Sequence, residues 1–263
     1  MRSSLLPSAV DPAALVSGPR RFASTARLFG DAAMARLAAA HVIIVGVGGV
    51  GSWAAEALAR SGCGRITLID LDHLAESNIN RQVHALESTL GASKVEVMAA
   101  RIADIAPQAI VHEVDEFVTA DNAAAVMPAD ADAVIDACDQ VRAKAAIVAL
   151  CRDRAIPIVV CGAAGGRRDP LALRWDDLGT VTGDRLLAAL RARLRRDHGF
   201  TGSWFGIDAI HGIAPLAMPV LPAGRPAGRG APLACAGYGS LVTVTATMGL
   251  AAAQRTIDTV TAA

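Results

Sequence analysis

The sequence lacks net charge, paired cysteines and any apolar run long enough to cross a membrane. The formal net charge of the 263 residues is zero, so the chain has no global basic surface of the kind that marks many nucleic-acid binders. Five cysteines include no C-x-x-C pair, which excludes a zinc site built from paired knuckles, and we expect no zinc. The odd cysteine count, without an evident secretion signal, favours reduced thiols and a cytoplasmic protein.

The longest apolar segment, SLVTVTATMGLAAA at 240–253, is interrupted by three threonines and is too short to span hydrocarbon comfortably. We interpret it as a buried helix at the core or at a dimer interface. Residues 1–19 are expected to form a disordered tail rather than a signal peptide, because no continuous apolar core follows Arg2. Residues 20–263 then form one domain, in which the Gly- and Pro-rich stretch 199–235 is expected to be a mobile loop.

A glycine motif dominates what is present. HVIIVGVGGVGS at 41–52 places Gly46, Gly48 and Gly51 in a G-x-G-x-x-G pattern after an apolar run and before the helical stretch VGSWAAEALAR. Backbone N–H groups at such a helix start bind phosphate. Asp70 ends the next strand-like run, RITLID, where a dinucleotide fold places the acid that grips a ribose hydroxyl. These features alone fit an NAD enzyme equally well.

Apolar strand-like runs alternate with helical runs along the chain, which predicts a doubly wound, mainly parallel α/β fold of the Rossmann type with helices on both faces and a C-terminal extension. The predicted strands are 41–46, 65–70, 109–114, 132–137 and 156–161. The predicted helices include 31–39, 50–61, 92–105, 140–153 and 184–197.

A polar cluster after the second strand does not suit a dehydrogenase. Its members are Asp72, Asn78, Asn80, Arg81 and Gln82. Such groups cannot be mostly buried unless they bind one another or a ligand, and a ligand is the simpler explanation.

Two lysines and two aspartates extend the argument. Lys94 and Lys144 are the only lysines among 25 basic residues, and a compact ammonium suits a tight phosphate cradle better than a guanidinium fork. Lys144 is left between a phosphate contact and an ion pair. Asp136 and Asp139 close the strand-like run AVIDACD, where an acid suits Mg²⁺.

These segments resemble the ubiquitin-activating-enzyme-like (ThiF/MoeB/HesA) superfamily of ATP-dependent adenylyltransferases. A narrower resemblance, to the bacterial tRNA threonylcarbamoyladenosine dehydratases, depends on RFASTARLFGDAAM, GVGGVGSWAAEALARSG, NRQVHAL, VIDACDQVRAKAAI and CGAAGGRRDP. It implies that ATP activates the carboxylate of the threonylcarbamoyl group at tRNA position 37 as an acyl adenylate. A nitrogen of the same modification then attacks, with net loss of water.

The resemblance also implies roles for individual residues. The nucleotide would be bound by Gly46, Gly48, Gly49, Gly51, Asp70, Asp72, Asn78 and Gln82. The catalytic residues would be Arg81, Lys94, Asp139 and Arg27. Asp139 would carry Mg²⁺, and Asp72 would be either a second metal contact or a cap of the next turn. Arg27 would reach the ATP of the other subunit of a homodimer; as a residue pattern alone, it fits a solvated helix face.

Several alternatives stay open. One is an adenylyltransferase that activates the C-terminal glycine of a ubiquitin-like sulfur-carrier protein, and another is a non-catalytic or NAD-binding module. Cys235 is either a packing residue or a reactive thiol served by a sulfur-relay partner. The arginines of 185–196 either face tRNA or form a solvated helical face, and Arg167 and Arg168 lie in a glycine-rich turn.

Overall fold

The computed structural model describes residues 20–217 and 238–262, and seven strands in them form one sheet. The strands are β1 (His41–Val45), β2 (Arg65–Ile69), β3 (Ile110–Val114), β4 (Ala133–Asp136), β5 (Ile158–Cys161), β6 (Leu173–Asp177) and β7 (Asp208–Gly212). The helices are α1 (Ala23–Phe29), α2 (Asp31–Ala39), α3 (Gly51–Ser61), α4 (Lys94–Ile105), α5 (Ala123–Val126), α6 (Val141–Asp153), α7 (Arg185–Asp197) and α8 (Val242–Thr261).

The order of strands across the sheet is β3-β2-β1-β4-β5-β7-β6. Strand β1 pairs in parallel with β2 on one side and with β4 on the other, so the direction of winding reverses there. Ligands of open α/β sheets bind past the carboxyl ends of the strands at such a switch point. Only β6 runs antiparallel, with Leu173 facing Gly212 of β7. The predicted doubly wound α/β fold is confirmed.

The central strands are buried on both faces because their sequences are runs of apolar, mostly β-branched residues. All five residues of HVIIV in β1 are buried. One apolar cluster, which includes Leu58, Met98 and Met248, packs α3, α4 and α8 against one face. A second, which includes Ile147 and Leu190, packs α6 and α7 against the other.

Helix α8 supports the start of α3 directly. A Cβ built at Gly249 would overlap the carbonyl oxygen of Val50 and lie 3.0 Å from the Cβ of Trp53. The absence of a side chain at Gly249 therefore lets α8 pack tightly beneath the turn that leads into α3. The buried helix predicted from 240–253 is confirmed, and in the described part of the chain no helix is long and apolar enough to cross a membrane.

All five predicted strands and all five predicted helices are present, with ends displaced by a few residues at most. The sequence missed β6, β7 and the short helices α1 and α5. The prediction of a mobile loop at 199–235 was wrong for residues 208–212, which form β7. Ile210 is buried there although glycines surround the segment. The rest of that stretch from 218, and the tail 1–19, lie outside the described residues.

Candidate functional site

The glycine turn after β1 forms the base of the candidate site. Gly46 has φ +86°, and a Cβ there would lie 2.9 Å from the backbone nitrogen of Cys138. A Cβ at Gly51 would overlap the carbonyl oxygen of Gly46. At Gly48, by contrast, the nearest atom to a built Cβ is Gln82 Nε2 at 4.0 Å. Two glycines of the motif are thus required by the fold itself, whereas Gly48 faces open space in which a ligand can approach the backbone.

Asp70 ties the end of β2 to this turn. Its Oδ2 accepts a hydrogen bond from the backbone N–H of Val47 at 2.7 Å, and its Oδ1 accepts one from the N–H of Asp72 at 2.9 Å. The side chain is buried, and burial raises the pKa of Asp70 while the charge of Lys94 opposes that rise. Each carboxylate oxygen retains a further acceptor position.

Lys94 begins α4 and is buried beside two aspartates. Its Nζ lies 2.6 Å from Asp72 Oδ2 and 3.8 Å from Asp70 Oδ1. For Asp72 the sequence left a metal contact or a turn cap open; the contact that the structure shows is this ion pair. A lysine at the start of a helix is thereby held at the edge of the glycine turn.

The polar cluster between β2 and α4 lies beside the turn, with Arg81 next to Gly49. Asn78 Oδ1 accepts from the backbone N–H of Ala75, and Arg81 Nη1 donates to the carbonyl of Ser77 at 2.7 Å. Gln82 is only 5% exposed, yet within the described residues its Oε1 accepts no hydrogen bond. A buried amide oxygen left without a partner is costly, so Gln82 is suited to receive a donor from a ligand.

The turn after β4 contributes one exposed and one buried carboxylate. Asp139 is exposed at the site. Asp136 is completely buried, with Oδ2 3.1 Å from Lys144 Nζ. Burial lowers the pKa of Lys144, but the charge of Asp136 opposes this, and the net pKa is raised. Of the two alternatives for Lys144, the structure shows the ion pair.

These elements enclose a cavity of about 670 Å³ at the switch point, within the usual size range of small-molecule sites. The predicted residues that line it are Gly46, Gly48, Gly49, Asp70, Asn78, Arg81, Gln82, Lys94 and Asp139. Three others are not among its lining residues, namely Gly51, Asp72 and Arg27. Gly51 and Asp72 contact residues that line it, whereas Arg27 is exposed on α1.

Sequence reasoning missed other parts of the cavity wall. They are Glu116–Val118 after β3, Gly162–Gly165 after β5, and Tyr238–Ser240 before α8. The first two follow predicted strands, and the rule that ligands bind past the carboxyl ends of parallel strands could have found them. No local pattern distinguishes the third.

The remaining candidate residues have structural partners. Arg167 is buried, donates to the carbonyls of Ala163 and Ala214, and lies 3.5 Å from Asp184. On α7, Arg193 and Arg196 pair with Asp197. These contacts favour a structural role for Arg167 and the solvated-face interpretation for those two arginines.

The described cysteines are free thiols in largely apolar surroundings. Burial raises the pKa of Cys63, Cys151 and Cys161 to about 12, which is typical of packing residues rather than nucleophiles. Cys235 lies outside the described residues. Within residues 20–217 and 238–262, no group of three or more His, Cys, Asp or Glu side chains could hold a metal ion.

Comparison with known proteins gives consistent matches. A model described as the ThiF family matches residues 22–263. The tRNA threonylcarbamoyladenosine dehydratase of Escherichia coli (strain K12) is 46% identical over 242 residues, which are 89% of this chain and 90% of that relative. The protein of the same name from Haemophilus influenzae is 40% identical, over 91% of this chain and 92% of its own length.

A solved structure also matches. It is that of the Escherichia coli tRNA N6-threonylcarbamoyladenosine dehydratase in complex with ATP, with a TM-score of 0.83 and 44% identity over 92% of this chain and 94% of that one. The family match at 22–263 includes both the nucleotide turn and the C-terminal helix.

Proposed function

The chain belongs to the ThiF family, and from that premise we propose that it is an ATP-dependent dehydratase that cyclises N6-threonylcarbamoyladenosine at position 37 of tRNA. The observation that carries the proposal is the cavity at the switch point, where the glycine turn, Asp70, Arg81, Lys94 and Asp139 meet. It occurs in a chain whose similarity to two proteins named for this activity extends over 89% and 91% of its length.

In the proposed reaction, the substrate carboxylate attacks the α-phosphorus of ATP, which gives an acyl adenylate and pyrophosphate. A nitrogen of the same modification attacks the acyl carbon, the bond to AMP breaks, and one proton leaves as the ring closes. The substrate loses one water while ATP becomes AMP and pyrophosphate. The protein must orient the two reactants, stabilise charge at the α-phosphate and exclude water from the acyl adenylate.

The cavity wall supports one orientation of ATP. Asp70 at the end of β2 has acceptor capacity left for a ribose hydroxyl. Phe117 and Val118, which follow β3, provide apolar surface for the base. Gln82 Oε1 is an acceptor that a nucleotide donor can satisfy, and Asn78 lies on the same wall.

The phosphates then lie over the glycine turn. The backbone around Gly48 and Gly49 is open to the cavity, and Arg81 borders Gly49, with Cγ 3.1 Å from a Cβ built there. Lys94, which is held by Asp72, also lines the cavity. The two cations can thus both offset the negative charge of the triphosphate.

Mg²⁺ fits one position in this arrangement. The exposed carboxylate of Asp139 borders the cavity, and Mg²⁺ bound to nucleotides takes one or two carboxylates together with phosphate oxygens and water. When bound, the ion would offset negative charge on the phosphates. Asp139 is the residue that would hold it.

We further propose a homodimer in which Arg27 acts in trans. Arg27 is exposed on α1 and does not line the cavity of its own chain. Mixing Arg27→Ala chains with Lys94→Met chains should restore about a quarter of wild-type activity, because half of the dimers would carry one complete site. No restoration above the separate variants would refute sharing.

Two assays test the main proposal. ATP–pyrophosphate exchange distinguishes carboxylate activation from simple nucleotide binding, and mass spectrometry of tRNA nucleosides detects the loss of one water with ATP present. We expect both signals from wild-type protein and neither from Lys94→Met. Lys94→Arg keeps the positive charge and tests whether charge alone is enough. It should also lose most activity, because the guanidinium fork of arginine replaces the compact ammonium of lysine. If the mass of the tRNA nucleosides stays unchanged with ATP present, the proposed function is refuted.

The second candidate is activation of a sulfur-carrier protein. Exchange that depends on such a carrier's C-terminal glycine, with unmodified tRNA mass, would favour it. Dehydration transfers no sulfur, so we expect Cys235→Ser to retain cyclisation and to need no sulfur-relay partner. Loss of cyclisation in Cys235→Ser would instead support a catalytic role for the thiol. Because tRNA is the substrate, we place the protein in the cytoplasm.

A further inference from the structure

The cavity continues past the region assigned to ATP. Beyond the glycine turn its wall consists of Gly162–Gly165 after β5, Leu186 at the start of α7, and Tyr238–Ser240. We call this region the far end. None of the described side chains of the far end carries a formal charge. Its side chains therefore offer apolar contacts to a flat group and no cation to a phosphate.

Tyr238 is the one aromatic residue at the far end and the only tyrosine of the chain. It is half-buried, and its ring borders the backbone of the turn after β5. A Cβ built at Gly166 would lie 3.0 Å from Tyr238 Cδ1 and 3.4 Å from its Cγ. Gly166 has φ +75°, so the residue that tolerates this backbone also leaves room for the ring.

Hydrogen bonds fix the backbone that carries this ring to both sides of the cavity. The N–H of Gly166 donates to the carbonyl of Gly239 at 2.8 Å. On the nucleotide side, Asn80 Nδ2 donates to the carbonyl of Ser240 at 3.1 Å. The position of Tyr238 is therefore set by β5 and by the polar cluster, and its ring needs no rearrangement to present a surface.

The turn that supports the ring is itself held by a buried ion pair. Asp184 Oδ2 accepts from the backbone N–H of Ala163 at 2.9 Å and lies 3.5 Å from Arg167 Nη2. Arg167 Nε also donates to the carbonyl of Ala163 at 3.0 Å. Although Arg167 is cationic, its contacts are directed to these protein groups, which leaves Tyr238 as the recognition element at the far end.

We propose that Tyr238 stacks on the modified adenine of the tRNA substrate and so positions the threonylcarbamoyl carboxylate towards the α-phosphate of ATP. The inference rests on the proposed function. Unpaired bases of RNA loops are commonly recognised by stacking on aromatic side chains. Stacking uses the ring and not the phenolic hydroxyl, so the proposal distinguishes phenylalanine from leucine at this position.

The test compares steady-state kinetics of Tyr238→Leu and Tyr238→Phe with wild-type protein, using an anticodon stem-loop RNA that carries threonylcarbamoyladenosine. Loss of one stacked base predicts that Tyr238→Leu raises the KM for RNA about 5- to 150-fold. Tyr238→Phe should stay within about threefold of wild type, because the π face remains. The KM for ATP should change little in either variant. The rate of ATP–pyrophosphate exchange at saturating RNA should fall in Tyr238→Leu and not in Tyr238→Phe, because the carboxylate is no longer positioned against the α-phosphate.

A matched control replaces another aromatic residue. Trp204 is 72% exposed and does not line the cavity, so Trp204→Leu should leave both KM values unchanged. Thermal denaturation of each variant separates a loss of stacking from a loss of fold. An unchanged KM for RNA in Tyr238→Leu would overturn the inference, as would a rise in Tyr238→Phe equal to that in Tyr238→Leu. Neither result would affect the proposed function. Wild-type protein that removes no water from the RNA would overturn the proposed function and this inference with it.

Discussion

Substituting alanine at Gly51 and at Gly48 should have opposite effects on stability. Only Gly48→Ala should directly weaken ATP binding. A Cβ at Gly51 would overlap the carbonyl oxygen of Gly46 and lie 3.3 Å from the Cβ of Ala137. Overpacking of this kind costs about 1–3 kcal/mol. Because backbone atoms must move, we expect about 3 kcal/mol, which lowers Tm by roughly 6–12 °C in a chain of this size.

At Gly48 the protein leaves room for a methyl group. The nearest atom to a built Cβ is 4.0 Å away, and Gly48 is not among the residues with positive φ. Gly→Ala at such a position stabilises by about 0.4–1 kcal/mol through the unfolded state. The new methyl group would, however, occupy the space through which phosphate reaches the backbone. Loss of one hydrogen bond to a charged group, about 1.5–3 kcal/mol, predicts a Kd for ATP raised about 10- to 150-fold.

Differential scanning calorimetry measures the first effect, and isothermal titration with ATP and Mg²⁺ measures the second. The expected result is a Gly48→Ala protein at least as stable as wild type that binds ATP weakly, beside a Gly51→Ala protein that unfolds early. Wild-type ATP affinity in Gly48→Ala would show that phosphate does not lie on this part of the turn. Wild-type Tm in Gly51→Ala would contradict the close approach of Gly46 and Gly51.

Three further results are expected. Lys144→Met should lower the free energy of unfolding in urea by about 3–5 kcal/mol, since it leaves Asp136 buried without its partner. Adding Asp136→Leu should recover most of the loss. Equal losses in the single and the double variant would argue against the ion pair. Burial lowers the pKa of His84 to about 4, below the unfolded value of about 6.5. The unfolded state therefore takes up the proton first, and stability should fall by about 3 kcal/mol as pH drops from 6.5 to 4; denaturation across this window should show a flatter profile for His84→Leu, and an unchanged slope would exclude His84 as the cause. Asp139→Asn should slow ATP–pyrophosphate exchange by about 100-fold without lowering Tm, because the side chain is exposed; wild-type exchange would remove Asp139 from the mechanism.

The sequence predicted the elements whose signal is local. In strand β1 all five residues are buried and the last four, Val42–Val45, are apolar, and the glycine motif marks the start of α3 without reference to the rest of the chain. Strand β6, Leu173–Asp177, lies at the sheet edge with mostly exposed residues. It has no apolar run to detect, and its pairing with β7 depends on residues more than 30 positions later.

Contacts between residues that are distant in the sequence could not be predicted from the sequence pattern. The scarcity of lysine drew attention to Lys94 and Lys144, but both side chains form ion pairs with aspartates that only the fold brings near. Lys144 has Asp136 on the preceding strand, whereas Lys94 has Asp72 across a long connection. Tyr238 lies beside the turn after β5 because Gly166 and Gly239 are hydrogen bonded, a relationship that no periodicity encodes.

Gly166 also joins two segments that are distant in the sequence. Its carbonyl accepts from the N–H of Ala217 at 2.7 Å, and its own N–H donates to Gly239. Both contacts are made by one residue, so Ala217 and Gly239 are held at the same point of the turn after β5. A change in the backbone of Gly166 should therefore reach Ala217 and Gly239 together, and with Gly239 the neighbouring Tyr238.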